Sequence, residues 1–288
     1  MKNANAQRDS YRFEFRDRAL NLGRDTVIMG VLNVTPDSFY DGGRYTNIDD
    51  ALRGVEAMVS DGAGIIDIGG ESTRPGSTGV SEAEELGRVL PVVTEVCKRF
   101  EVPVSVDTTK AAVAEAALGQ GASIINDISG LRFEPELACV VAKYKAGIVL
   151  MHSSSKPADM QKKTDYRSVV DDVAHSLRDC VERALQSGIN PKGIVIDPGI
   201  GFGKTVEQNL VLIKNLDRFI SLGMPILLGT SRKSFIGKVL DLGVEERLEG
   251  TAATVALAIR NGASIIRAHD VLFMTRVAKM IDSILAAC

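Results

Sequence analysis

Short apolar runs alternate with longer amphipathic stretches along the whole 288-residue chain. The runs fall at about 27–33, 64–68, 103–107, 123–127, 146–151, 193–197, 225–229 and 264–269, each of strand length. Between and after them, helical spacing occupies about 48–61, 81–99, 109–119, 134–144, 168–187, 206–221, 245–260 and 271–286. Eight strand-then-helix units in one chain of this size predict a single α/β domain, a (β/α)8 TIM barrel. An open doubly wound sheet would alternate in the same way.

An internal echo favours the barrel. Gly62-Ala-Gly-Ile-Ile-Asp67, Gly121-Ala-Ser-Ile-Ile-Asn126 and Gly262-Ala-Ser-Ile-Ile-Arg267 share one pattern, and Lys192-Gly-Ile-Val-Ile-Asp197 fits the same frame. The first two lie two units apart and the second and third four units apart, a repeat of the size a barrel unit needs. Alternate strands of a barrel fill common layers, so Asp67, Asn126, Asp197 and Arg267 are expected to form one layer near the top. Residues 11–26 alternate like a β-hairpin ahead of the first barrel strand and are expected to plug the barrel's bottom. That gives a polar tail over 1–10 and one barrel domain over 11–288, with no Pro-, Gly- or Ser-rich linker to divide it.

Composition narrows the class. Hydrophobic residues make up 45% and charged residues 25%, the mix of a water-soluble globular chain. No apolar run is long enough to span a bilayer, and the polar stretch Met1–Ser10 lacks the apolar core of a secretion signal. A net charge of −3 argues against a general nucleic-acid binder while leaving room for one local cationic site. Cys97, Cys139, Cys180 and Cys288 are far apart and form no C-x-x-C pair, so reduced thiols in a cytoplasm are expected.

The predicted strand ends carry the chemistry. Barrel active sites sit at the C-terminal ends of the strands. Here those ends hold Asn33, Asp107, Asn126-Asp127, Met151-His152, Asp197, then Ser231-Arg-Lys233-Ser234, and Arg267 with His269. A polar residue at one strand end is commonly a helix cap; polarity at nearly every end points to a site. Asp107, Asn126 and Asp197 suit a flat heterocycle with several N–H donors, because a carboxylate accepts two parallel hydrogen bonds. Arg74, Arg267, His269 and Lys233 supply donors for an anion, aided by a helix opening near Ser231–Ser234.

Two loops rich in turn and hydroxyl residues, Asn33–Gly43 with Phe39 and Gly69–Gly76, are placed to close over the mouth. Gly199-Ile-Gly-Phe-Gly-Lys-Thr205 is not a Walker A loop, since Pro198 stands where glycine is required, and its glycines are expected to shape a tight turn. His175, mid-helix among charges, reads as a surface histidine. No cluster has zinc-site spacing; a divalent ion would be Mg²⁺, held by few protein atoms and by substrate phosphates.

Taken in order, Asn33-Val-Thr-Pro-Asp-Ser-Phe39, Asp67-Ile-Gly-Gly-Glu-Ser-Thr-Arg-Pro-Gly76, Asp197-Pro-Gly-Ile-Gly-Phe-Gly-Lys204, Ser231-Arg-Lys-Ser234 and Arg267-Ala-His269 resemble the bacterial dihydropteroate synthases from about residue 27 onward. The resemblance implies a pterin-binding TIM barrel. Its members join 4-aminobenzoate to 6-hydroxymethyl-7,8-dihydropterin diphosphate, release pyrophosphate and feed folate synthesis. It implies a pterin site of Asp107, Asn126, Met151, Asp197 and Lys233. It implies a diphosphate site of Asn33, Arg74, Arg267 and His269, with Asn33 at Mg²⁺. Thr73, Pro75, Phe202, Lys233 and Ser234 would surround the aminobenzoate, where sulfonamide drugs compete. The catalytic weight would rest on Asp107, Lys233, Arg267 and His269. Partners would be these small molecules and a second copy of the chain in a homodimer.

One stretch departs from the family pattern: Met151-His-Ser-Ser-Ser-Lys-Pro157 … Met160-Gln161 lacks the second Met and the Gly usual after strand five. The nearest rival is a pterin-dependent methyltransferase, which has no need of the Arg74/Arg267/His269 cluster. A non-catalytic pterin-binding relative would be expected to have lost one of Asp107, Asp197, Lys233 or Arg267.

Overall fold

The computed structural model describes residues 9–34, 46–73, 76–160 and 164–287. The chain opens with an antiparallel hairpin, β1 (Tyr11–Phe15) and β2 (Arg18–Leu22). Eight parallel strands follow and close on themselves: β3 (Val27–Asn33), β4 (Ala63–Gly69), β5 (Val104–Asp107), β6 (Ile124–Asp127), β7 (Gly147–Met151), β8 (Ile194–Asp197), β9 (Ile226–Leu228) and β10 (Ala263–Ala268), with β10 paired to β3. Helices wrap the outside, among them α1 (Thr46–Ser60), α2 (Glu82–Arg99), α3 (Ala111–Gly119), α4 (Glu136–Tyr144), α5 (Val169–Gln186) and α6 (Val206–Lys214). The closed order rules out the open doubly wound sheet.

Burial follows sequence period. On α2, Val89, Val92, Val93 and Val96 are buried, the i, i+3, i+4, i+7 face of a helix lying on the sheet. The strands are buried on both faces because helices cover one side and the lumen the other. The echo of Gly62, Gly121 and Gly262 also acquires a reason. All three sit at positive φ (100°, 113° and 106°) in the turns leading into β4, β6 and β10. Glycine reaches that region without a Cβ clash.

The strand register fixes the lumen. Asp67 pairs with Ser105, which pairs with Ile124, two residues before Asn126. Asn126 pairs with Val149, which pairs with Val195, two before Asp197. Arg267 pairs with Met29, which pairs with Ile65, two before Asp67. The step between β8 and β10, through Ile196–Ile226 and Leu227–Ile265, has the same rise. Two residues at each of four steps is the shear of eight that a (β/α)8 barrel requires, so the expected four-residue layer exists. Below it lie Met29, Ser105, Val149 and Leu227, and below those Ile65, Ile124, Val195 and Ile265. Above it come Val31, Asp107 and Met151.

The hairpin does plug the bottom. Phe13, Phe15 and Leu22 are buried in one cluster with Ile65, Ile124, Val195 and Ile265. A Cβ on Gly147, at the start of β7, would come within 2.6 Å of the Phe13 ring, so this strand begins with the one residue that leaves the ring room.

One expected helix differs. The helical stretch over 206–221 breaks at Asn215 into α6 and a 3₁₀ segment, Leu216–Leu222. Asn261 Nδ2 reaches the carbonyls of Ile213 and Lys214 at 3.0 and 3.2 Å, and Asn215 Nδ2 takes that of Val211 at 2.8 Å. The long-range cap from Asn261 and the local one from Asn215 let the helix stop early. After β9, the helix expected to open near Ser231–Ser234 is α7 (Ser234–Leu240) and the one expected over 245–260 is α8 (Leu248–Arg260); α9 (Val271–Ala286) follows β10. Seven residues are too few to show a helical period in sequence, and Asp241 ends α7 in the left-handed region (φ 57°).

Candidate active site

At the top of the lumen the layer becomes a charge network. Asp67 is completely buried, and its Oδ2 accepts from Asn126 Nδ2 at 3.0 Å and from Arg267 Nε at 2.6 Å. Arg267 Nη2 donates to Asp107 Oδ2 at 2.9 Å. Asp197 Oδ1 accepts from Gly199 N at 2.7 Å. Lys233, from the turn after β9, donates from Nζ to the Ile200 carbonyl and lies 4.8 Å above the centre of the Phe202 ring. Buried carboxylates and cations thus face one another, which is the condition under which burial of charge is tolerated.

These bonds leave a directional pattern. One N–H of the Asn126 amide is committed to Asp67, which orients the amide and leaves its Oδ1 to meet a donor. Asp107 Oδ1 and Asp197 Oδ2 are likewise left as acceptors by the bonds their partner oxygens make. Three acceptors and the Lys233 ammonium therefore surround the top of the lumen.

Burial sets the protonation tendencies. It pushes the Asp107 carboxyl up to about 7 against the pull of Arg267. It raises Asp197 too, with Lys233 opposing. It draws Lys233 down to about 8, against Asp197. Burial alone would lower Arg267, but Asp67 and Asp107 outweigh it and hold the guanidinium above its ordinary value. Displaced pKa values converging in one concave place mark a functional site.

The remaining expected residues stand around this centre. Asn33 ends β3 half-buried, and its Oδ1 lies 3.9 Å from where a Cβ of Gly69 would be, with the Asp107 Cβ 3.5 Å from the same point. Met151 ends β7, buried. His269 is exposed, its backbone N and Nδ1 at 3.2 and 3.0 Å from Ser231 Oγ. Thr73 is half-buried in the loop after β4, and Ser234 opens α7 at the surface. Arg74, Pro75 and residues 35–45, with Phe39, lie outside the described residues, as do Gln161 and Cys288. Asp127, although beside Asn126, faces the other way: it caps its own loop by accepting from Ser129 N and Leu131 N at 2.7 and 2.5 Å. Strand alternation separates the two.

The stretch after β7 that departs from the family pattern has an ordered arrangement built on its serines. Ser153 Oγ donates to Ser155 O at 2.6 Å and Ser154 Oγ to Met160 O at 3.0 Å. Gly76 N donates to Pro157 O at 3.0 Å, tying this loop to the one after β4. The glycine turn behaves as expected: Gly199, Gly201 and Gly203 all have positive φ (69°, 85° and 63°). His175 is a surface residue, 3.8 Å from Asp179 on the next turn of α5.

Two features were not read from the sequence. Arg232 sits in the left-handed region (φ 52°), held by both oxygens of Asp270 at 2.8 and 2.7 Å and by Glu245, and this sets the turn that carries Lys233 inward. Lys204 is buried beneath the glycine turn. Neither position carries a periodic or spacing signal; a charged residue next to a loop is by default solvated.

The chain matches the model of the family described as pterin binding enzyme over residues 29–269. It is 50% identical over 267 residues to the dihydropteroate synthase of Bacillus subtilis, covering 93% of this chain and 91% of that one. Among solved structures, the dihydropteroate synthase of Yersinia pestis with a sulfonamide drug complex aligns with a TM-score of 0.89 and 40% identity over 96% of this chain and 100% of that one. That of Xanthomonas albilineans with 4-aminobenzoic acid aligns with a TM-score of 0.89 and 38% identity, over 97% and 100%. With a family model across most of the barrel, and relatives matched at this identity over nearly their full lengths, the chain belongs to the dihydropteroate synthases of the pterin-binding enzyme family.

Proposed function

We propose that the barrel mouth joins 4-aminobenzoate to 6-hydroxymethyl-7,8-dihydropterin diphosphate by a substitution in which the carbon–oxygen bond breaks ahead of attack, giving 7,8-dihydropteroate and pyrophosphate. The observation that carries this reading is the single buried network in which Asp67 orients Asn126 and Arg267, and Arg267 meets Asp107. A reduced pterin presents ring N–H and amino donors and a carbonyl oxygen. The free acceptor atoms of Asp107, Asn126 and Asp197 complement the donors, and the Lys233 ammonium complements the oxygen. Met151 packs against the ring.

The aromatic amine is a weak nucleophile, so leaving-group departure is the step that needs help. Asn33, Arg74, Arg267 and His269 bind the diphosphate and stabilise the charge that accumulates on it. As the bond to oxygen breaks, its electron pair leaves with pyrophosphate and positive charge develops on the pterin methylene, which the Asp107 carboxylate faces. The amine lone pair then forms the carbon–nitrogen bond, and the proton is lost to solvent. Thr73, Pro75, Phe202, Lys233 and Ser234 seat the aminobenzoate, and a sulfonamide competes there. Asn33 fits a Mg²⁺ ion held largely by substrate oxygens: one neutral amide oxygen beside Asp107 at the mouth is a donor of the right hardness. That ion would neutralise charge on the diphosphate.

The exposed apolar side chains Val239 and Leu240 of α7 and Phe273, Met280, Ile284 and Leu285 of α9 support a homodimer. No helix of the described residues is long and apolar enough to cross a membrane. The thiols of Cys97, Cys139 and Cys180 are free, which supports a cytoplasmic location.

The test is turnover with dihydropterin diphosphate, 4-aminobenzoate and Mg²⁺, following pyrophosphate and dihydropteroate together. Equal yields of the two are expected. Positional isotope exchange in the bound diphosphate without aminobenzoate supports early bond breaking; no exchange with substrate demonstrably bound means direct displacement.

A further inference from the structure

We propose that Lys204 is a positioning residue: its ammonium locks the Gly199–Gly203 turn, and that turn seats Lys233 and Phe202 at the aminobenzoate side of the site. The inference rests on the roles proposed above for Lys233 and Phe202.

Lys204 is only 4% exposed. Its Nζ donates to Gly199 O at 2.8 Å and Phe202 O at 2.9 Å, and meets His152 Nδ1 at 3.0 Å. Three acceptors around one nitrogen match the three N–H bonds of an ammonium and exceed the two of a neutral amine. The bond to Nδ1 requires the neutral imidazole. Burial first, then Lys204 and Arg132, draw His152 down to about 2, so it stays neutral. Burial also draws Lys204 down to about 7, with Asp197 opposing, and the three acceptors act in the same sense as Asp197.

The turn needs such a tie. It carries three glycines at positive φ; within it Phe202 N donates to Gly199 O at 3.1 Å, and Lys204 ties that same carbonyl to the one of Phe202. Its fit is tight. A Cβ on Gly199 would meet the His152 carbonyl oxygen at 1.8 Å, and one on Gly201 would meet the Lys233 side chain at 3.1 Å. The two faces of the turn do different things. One gives the Gly199 and Phe202 carbonyls to Lys204. The other gives the Ile200 carbonyl and the Phe202 ring to Lys233. Gly199 N, on the same turn, also fixes Asp197 Oδ1. A loose turn would therefore free Lys233 and Phe202 together while leaving Asn126 and Arg267 tied to Asp67, and Asp107 tied to Arg267.

The variants Lys204→Met and Lys204→Gln test this. Met matches the length and apolar stem but offers no donor; Gln restores two N–H bonds. In Lys204→Met the KM for 4-aminobenzoate is expected to rise at least tenfold and kcat to fall, while the Kd for dihydropterin diphosphate rises less, about threefold, because the turn also touches Lys233 and Asp197 but not Asp107, Asn126 or Arg267; Lys204→Gln recovers part of the loss. A crystal structure of Lys204→Met is expected to show Lys233 Nζ no longer bonded to Ile200 O. The proposal is overturned if aminobenzoate KM and kcat stay within twofold, or if both substrates weaken equally. Should Lys204→Met fail to fold, His152→Leu removes one acceptor and keeps the lysine. The same selective rise in aminobenzoate KM, about threefold, supports the proposal, and an unaltered KM overturns it. Should the parent make no dihydropteroate, it is the proposed function that fails, and the crystallographic position of Lys233 still decides this inference.

Discussion

The two ends of the barrel lumen are built from the same strands in the same register and have opposite chemistry. At the bottom, Ile65, Ile124, Val195 and Ile265 pack on Phe13, Phe15 and Leu22 of the hairpin. Two residues further along the same four strands stand Asp67, Asn126, Asp197 and Arg267. That is a rise of about 7 Å along each strand. The lower layer is filled by apolar volume and needs no partners. The upper layer is held by directional bonds in which each group orients the next. A barrel strand therefore carries stability and chemistry at adjacent inward positions, and losing a residue at one level should have a different signature from losing one at the other.

Arg267→Ala gives the largest effect, because it attacks both properties at the top. It leaves Asp67 and Asp107 buried without their cation. A loss of about 3–5 kcal/mol is expected in urea unfolding, with turnover abolished. Retained stability would mean that the carboxylates are solvated. Phe13→Ala tests the bottom. Removing a fully buried ring should cost about 3–5 kcal/mol by the same measurement. The KM values and kcat of the folded fraction should stay within twofold; a selective kinetic loss would show that the two ends are coupled.

Asp107→Asn keeps volume and hydrogen bonding but removes the charge. We expect kcat to fall about 100- to 1000-fold with little change in melting temperature. A change confined to KM would move Asp107 from transition-state stabilisation to binding. The pH profile sharpens this further. With Lys233 at about 8, it loses its proton, and kcat/KM falls, as pH rises through that value. Lys233→Arg keeps its charge there, so its lower rate should lose the part of the alkaline limb that Lys233 contributes and keep the part due to Lys204. His175→Ala sets the floor. It lies on the surface of α5, and a change within about 0.5 kcal/mol and no kinetic effect are expected.

Much of this was legible in the chain. The repeat Gly-Ala-x-Ile-Ile followed by a polar residue encoded strand, turn and layer together, because strand alternation is a local property. The structure brings Asp107, Asn126, Asp197, Lys233 and Arg267 to one end of the lumen, and the sequence offered them because they end predicted strands or follow them at once. Lys204 and the Arg232–Asp270 pair were missed because their meaning is non-local. Lys204 gains its role only when the turn folds over it and His152 comes from another strand. Asp127 showed the converse: adjacent to Asn126 in sequence, it turned outward to cap a loop. The break at Asn215 escaped because it depends on Asn261, far along the chain.

The sequence by itself determined the eight units, the apolar hairpin and which residue types stand at the strand ends. Period and composition act over a few residues and survive without any fold. Only the tertiary structure decided which of those polar atoms are spent on one another and which remain free. Closing the barrel with a shear of eight brings Asp67, Asn126 and Arg267 within hydrogen-bond reach across its axis. Buried away from water, those bonds must be made internally, and that requirement fixes the direction in which the remaining acceptors point.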